Sequence, residues 1–217
     1  MTFKNQLHDY NNAIDLKVIA TTNPILLSQI SLYETPSIVV TGIYTKSYES
    51  VLNLQINSCK DNYSFDYRFI TDEEWENAKT SNDFAFFGGN TIKTQCVIDK
   101  IKQYWGKMLL VCDADIVFLK KTQEQLCELL VNKDMLFLRE RANKNNPYEK
   151  TPLNINIGFV FMRCNENTLH YWEEVQRRTK EKCGWDQEEA NLLLQESPNM
   201  LRWSLLPDTF LNGNDIK

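Results

Sequence analysis

With 217 residues, 42% of them apolar and 24% charged, the chain suits one substantial globular domain. A formal charge of −5, with Lys and Arg scattered and not clustered, excludes a general binder of nucleic acid or anionic membrane. An aromatic share of 12% supplies either a large core or stacking surfaces for a sugar or base.

Residues 1–36 read as an irregular or partly helical extension, broken at Pro24 and Pro36, packed on a domain spanning 37–217. Met1 to Lys17 is polar, and no stretch approaches the roughly 20 apolar residues of a membrane span. The expectation is a cytoplasmic protein without signal peptide or span. Ser37 to Tyr44 is a β-branched strand, followed by a helix over Glu49 to Asn57 and a short strand over Asp66 to Ile70. Residues 72–90 read as a loop with an aromatic tip at Phe84, Phe86 and Phe87. A helix from Thr91 to Tyr104 then leads into the apolar run Met108 to Cys112. Helix Thr122 to Val131 and strand Met135 to Leu138 continue the alternation, which predicts an α/β fold with a mixed, mainly parallel sheet flanked by helices. The polar stretch 139–154 is a loop long enough to be functional. Strand Asn156 to Met162, helices Glu166 to Lys182 and Gln187 to Gln195, and strand Leu201 to Leu205 complete the order.

The six cysteines form no CxxC pair, and Cys112 and Cys164 flank strand-like runs. They read as reduced, buried thiols.

Three constellations carry chemistry. The first is Asp113-Ala114-Asp115, set between Met108-Leu109-Leu110-Val111-Cys112 and Ile116-Val117-Phe118-Leu119. Read as extended chain, it projects both carboxylates to one side, where they repel and demand a counter-charge. No Lys or Arg lies in the run, so a hard divalent cation, Mg²⁺ or Mn²⁺, is the candidate. The bland alternative is two Asp residues shaping a turn. The second is Asn156-Ile157-Gly158, an amide beside a glycine that admits close approach, or simply a core strand. The third is Trp185-Asp186-Gln187-Glu188-Glu189, either a helix N-cap with Asp186 as the cap or a positioned carboxylate beside a sugar-stacking indole.

Together these segments, with Leu205-Leu206-Pro207-Asp208-Thr209-Phe210-Leu211-Asn212-Gly213, resemble the nucleotide-diphospho-sugar transferases of the GT-A glycosyltransferase fold from Ser37 to Gly213. The resemblance implies a metal-dependent transferase moving a sugar from a nucleotide-diphosphate sugar, a UDP-sugar favoured, to a hydroxyl of a glycan or other acceptor. It implies that Asp113 and Asp115 bind Mn²⁺ or Mg²⁺, and that Asp113, Thr41, Tyr44, Lys93 and Asn156 contact the donor. Asp186 would act near the acceptor hydroxyl or the reacting carbon. The third metal ligand found in many relatives has no obvious counterpart: Asp208, Asn212, Asn214 and Asp215 are available, while His8 and His170 are badly placed. Two rivals follow. A sugar-1-phosphate nucleotidyltransferase would need a Gly-rich, Arg-containing loop where Thr41-Gly42-Ile43-Tyr44-Thr45-Lys46 stands. A non-catalytic nucleotide-sugar or carbohydrate-binding domain would need only a vestigial acidic pair.

Overall fold

The structure, a computed structural model, describes residues 37–80, 88–140, 154–182 and 184–210. The 1–36 extension, the aromatic tip, most of the 139–154 loop, Cys183 and the segment holding Asn212, Asn214 and Asp215 lie outside them.

In chain order the elements are β1 (Ile38–Thr41), β2 (Ile43–Tyr44), α1 (Glu49–Cys59), β3 (Ser64–Phe65), β4 (Arg68–Phe69), α2 (Asp72–Thr80) and α3 (Gly88–Gln103). They continue with β5 (Met108–Cys112), α4 (Gln123–Leu129), β6 (Met135–Arg139), β7 (Ile155–Arg163), α5 (Glu166–Lys182), α6 (Asp186–Glu196) and β8 (Trp203–Leu205). Among the described residues the strands form a six-stranded sheet, ordered β3-β1-β5-β7-β6-β8, and a separate β2–β4 pair. Only β7 runs antiparallel to its neighbours, so the sheet is mixed and mainly parallel, as expected.

β5 lies between β1 and β7 and is buried on both faces, which is why it reads as an unbroken apolar run. Leu109 and Val111 pack towards α3, α5 and α6; Leu110 and Cys112 pack towards α1 and α4. Five cysteines among the described residues are free thiols, four of them buried, and burial pushes Cys164 up to about 12 and Cys59 up to about 11. Such thiols stay protonated and behave as small apolar side chains. No helix among the described residues is long and apolar enough to cross a membrane.

Three local expectations need correction. The strand expected over Ser37 to Tyr44 breaks at Gly42 into β1 of the large sheet and β2 of the small one. Residues 72–80 are helical, not loop: the acidic first turn suits a helix N-terminus, and the Glu74 amide donates to Thr71 Oγ1 at 3.0 Å. The strand expected over Asp66 to Ile70 is reduced to β4, Arg68–Phe69, with β3, Ser64–Phe65, just before it. The Asp66 amide donates to the Val40 carbonyl, while its carboxylate accepts from Lys100 and Tyr104, both at 2.5 Å, and this anchor turns the chain from the large sheet towards the small one.

A second carboxylate, this one buried, fixes the far end of the sheet. Asp134 is fully buried and accepts from Arg202 Nε at 3.1 Å, Arg202 Nη2 at 3.0 Å and Asn165 Nδ2 at 2.9 Å. Burial opposes its ionisation, but these donors outweigh that and bring its pKa to about 2. A depressed folded-state pKa stabilises fully above the unfolded value near 4 and is lost as pH falls through about 2. Asp134→Asn should therefore lower stability by about 2 kcal/mol at neutral pH, with the gap to wild type closing towards pH 2. Urea melts across that range test it; a gap independent of pH would refute the ion-pair account.

Candidate active site

The site begins where β5 ends. By the two-residue period of a strand, Asp113 continues the face of Leu109 and Val111, the face covered by α3. Past Cys112 the backbone leaves the strand, and the Ile116 amide donates to the Asp113 carbonyl at 3.2 Å, closing a turn. Asp113 is consequently half-buried, Ala114 buried and Asp115 exposed. The expected side-by-side projection of two carboxylates from one continuous strand is corrected by this turn.

A first counter-charge on Asp113 comes from the chain itself. Lys93 Nζ, on α3, donates to Asp113 Oδ1 at 2.7 Å, and the Lys93 side chain is only 15% exposed. Burial opposes the ammonium charge, yet the attraction of Asp113 and then Asp186 outweighs it and raises the Lys93 pKa. Lys93 remains a cation at neutral pH.

Asp186 is the first residue of α6 and is buried, with Trp185 as the extended N-cap; the expected Asp186 cap is thus shifted by one residue. Its Oδ1 accepts from the Gln187 amide at 2.9 Å. Burial raises its pKa, Lys93 pulls the other way, and Asp113 adds to the rise, leaving a net increase. A carboxylate so placed is a better proton acceptor than an exposed one. Trp185 next to it is partly exposed.

β7 closes the site from below. Its pairing with β6 shifts register between Phe137, opposite Val160, and Leu138, opposite Asn156, an irregularity that frees residues 157–159 to reach the end of β5. Asn156 Nδ2 donates to Glu140 Oε2 at 2.5 Å, and Asn156 Oδ1 accepts from the Gly158 amide at 2.7 Å. Gln187 Nε2 donates to the same Glu140 oxygen at 3.1 Å. Asn191 ties α6 to β7 by accepting from the Ile155 amide at 2.8 Å. A Cβ on Gly158 would lie 2.5 Å from Asp113 Oδ2 and 2.9 Å from Asn156 Oδ1, so the missing side chain is the space both oxygens use.

The structure thus brings Lys93, Asp113, Asp186 and Asn156 to one end of the sheet, with Asp115 on the rim. Thr41 and Tyr44 make none of these contacts, although Thr41 pairs with Val111 near the end of β5. Thr41 is buried and its hydroxyl donates to the Asp66 carbonyl at 2.7 Å. Tyr44 lies on the small sheet, its ring 5.3 Å from that of Phe69. Asp208 is exposed at 4.0 Å from Arg139, and His170 is an exposed residue of α5. Glu140, which follows β6 at the start of the polar stretch 139–154, was not among the residues singled out from the sequence.

Among the described residues no group of three or more His, Cys, Asp and Glu is arranged to hold a metal ion. Asp113 and Asp115 offer oxygen donors only, the donor type that suits a hard divalent ion keeping water and phosphate oxygens in its shell.

The model of the nucleotide-diphospho-sugar transferase family matches residues 97–214, from the middle of α3 through the acidic turn, β7 and α6. The chain belongs to that family. No curated protein matches it. Among solved structures, the apo glycosyltransferase GlyE of Streptococcus pneumoniae TIGR4 aligns with a TM-score of 0.51 at 13% identity, over 82% of this chain and 46% of its own. The bifunctional glycosyltransferase WbbM aligns with a TM-score of 0.51 at 13% identity, over 82% of this chain and 40% of its own. Such likeness shows the GT-A fold, and the chain spans less than half the length of either protein.

Proposed function

We propose that the chain transfers a sugar from a nucleotide-diphosphate sugar, with UDP-sugars the first donors to try, to a hydroxyl of a glycan or other acceptor, with Mn²⁺ or Mg²⁺. The observation that carries this reading is the Lys93–Asp113–Asp186 cluster at the end of β5, within a chain of this family. Asp113 and Asp115 would hold the ion. When bound, the ion neutralises the charge that develops on the departing diphosphate. Lys93, largely buried and charged, supplies a second fixed positive charge beside it. Asn156, oriented by Glu140 and by the Gly158 amide, presents a fixed amide towards the donor sugar. In an inverting reaction Asp186 takes the acceptor's proton; in a retaining one it stabilises the positive charge on the reacting carbon. The loop after β1 argues against the nucleotidyltransferase alternative, because β2 and a single 3₁₀ turn over Lys46–Tyr48 replace a Gly-rich loop.

A panel of UDP-, GDP- and dTDP-sugars with and without Mn²⁺, read by release of nucleoside diphosphate, tests the reading. Asp115→Asn should reduce metal-dependent release by about 100-fold, the scale lost when one charge-stabilising group is removed from an active site. Unchanged release in that variant would refute the metal assignment. Donor binding with no turnover, across acceptors, would favour the binding-domain alternative.

A further inference from the structure

Gln55 is a fully buried amide on the core-facing side of α1, among apolar neighbours. A buried amide is stable only if its donors and acceptor are used. Its partners lie along the end of β5 and on one tyrosine. Nε2 donates to the Asp113 carbonyl at 2.9 Å and to Cys112 Sγ at 3.1 Å. The Tyr67 hydroxyl, with one proton to give, lies 2.6 Å from Gln55 Oε1 and 2.8 Å from the Cys112 carbonyl. Gly42 makes room for this arrangement, since a Cβ there would lie 2.4 Å from the Cys112 carbonyl oxygen and 2.8 Å from Tyr67 Cε1. On its other side the Asp113 amide donates to the Gly158 carbonyl at 2.8 Å.

The geometry points to Gln55 and Tyr67 as positioning residues for the transfer reaction. They hold the two carbonyls at which the chain leaves β5, and so set the direction in which Asp113 and Asp115 leave the turn. Neither touches the carboxylates. Gln55 acts through the Asp113 peptide and Tyr67 through Gln55 and Cys112. A helix and a loop from one side of the sheet thereby fix an acidic turn whose charge partner, Lys93, comes from the other side. This inference rests on the transfer reading for its catalytic consequence, though its structural half stands apart from it.

The test uses the full chain with Gln55→Leu, which removes the amide at similar volume, and Tyr67→Phe, which removes one hydroxyl and nearly no volume. Amide hydrogen exchange should speed up at Asp113 and Ile116 in both variants while Leu109 to Val111 stay protected. With the best donor, kcat should fall by about 30- to 100-fold with the donor KM changed less than about threefold, the pattern of a displaced group that acts in the transition state. Unchanged exchange at the turn would overturn the positioning role, as would faster exchange with wild-type kcat. If Gln55→Leu does not fold, Tyr67→Phe decides alone. If the wild type turns over no nucleotide sugar, the transfer reading fails by itself, and the exchange arm still decides whether these residues hold the turn.

Discussion

Replacing Gly158 with alanine is expected to cut turnover by about 100-fold while leaving the fold in place, because misplacing a reacting group by about 1 Å carries that penalty. The added methyl would meet Asp113 Oδ2 at 2.5 Å, Asn156 Oδ1 at 2.9 Å and Asp113 Cγ at 3.2 Å. All three are side-chain atoms, and two of them are the far ends of side chains that can turn away. Gly158 does not have a positive φ, so alanine meets no backbone strain there. The methyl therefore displaces functional groups and not structure. Asp113 must give up its 2.7 Å pairing with Lys93, or Asn156 its 2.7 Å contact with the Gly158 amide. A melting temperature within a few degrees of wild type, beside a collapsed kcat, is the expected pair of measurements. Wild-type kcat would show that Asp113 is not needed in its observed place, and gross unfolding would make Gly158 a packing residue instead.

The sequence showed most clearly those features set by local periodicity. β5 was legible because burial on both faces leaves no alternation, and α3 and α5 because their apolar positions recur at helical spacing. The acids after β5 were legible as an anomaly but not as a geometry. A turn at residues 113–116 intervenes, and nothing between Met108 and Leu119 announces it by Gly or Pro. Their counter-charge was out of reach for a different reason: Lys93 lies on the preceding helix, and only strand parity together with the packing of α3 places it opposite Asp113. Glu140 is the extreme case, since its two partners, Asn156 and Gln187, come from β7 and α6. By contrast α2 could have been read. Thr71-Asp72-Glu73-Glu74 has the spacing of a capping box, and the polar stretch after it obscured that signal. The antiparallel course of β7 has no local signature at all, because a buried apolar strand reads the same in either direction.

Lys93→Met should move two quantities in opposite directions: Mn²⁺ alone should bind more tightly, and turnover should fall by about 100-fold or more. In the protein as it stands, the Lys93 ammonium holds Asp113 Oδ1 at 2.7 Å, so an ion approaching Asp113 competes with a charge already there. Methionine fills similar volume without that charge and leaves Asp113 and Asp186 to repel each other, which favours a divalent ion. The departing diphosphate loses a fixed cation in the same step. The acidity of Asp186 carries an independent sign. Lys93 lowers its pKa against the larger effect of burial, so removing Lys93 removes the lowering and the pKa rises further. If the ionised Asp186 is required, the acidic limb of the kcat–pH profile moves to higher pH in the variant. Manganese titration followed by electron paramagnetic resonance reads the first effect, and steady-state rates across pH read the other two. A merely structural Lys93 would weaken ion binding and turnover together and leave the limb where it was. That result would return Asp113 to the role of a turn residue with a buried partner, and would remove the charge logic on which the transfer chemistry rests.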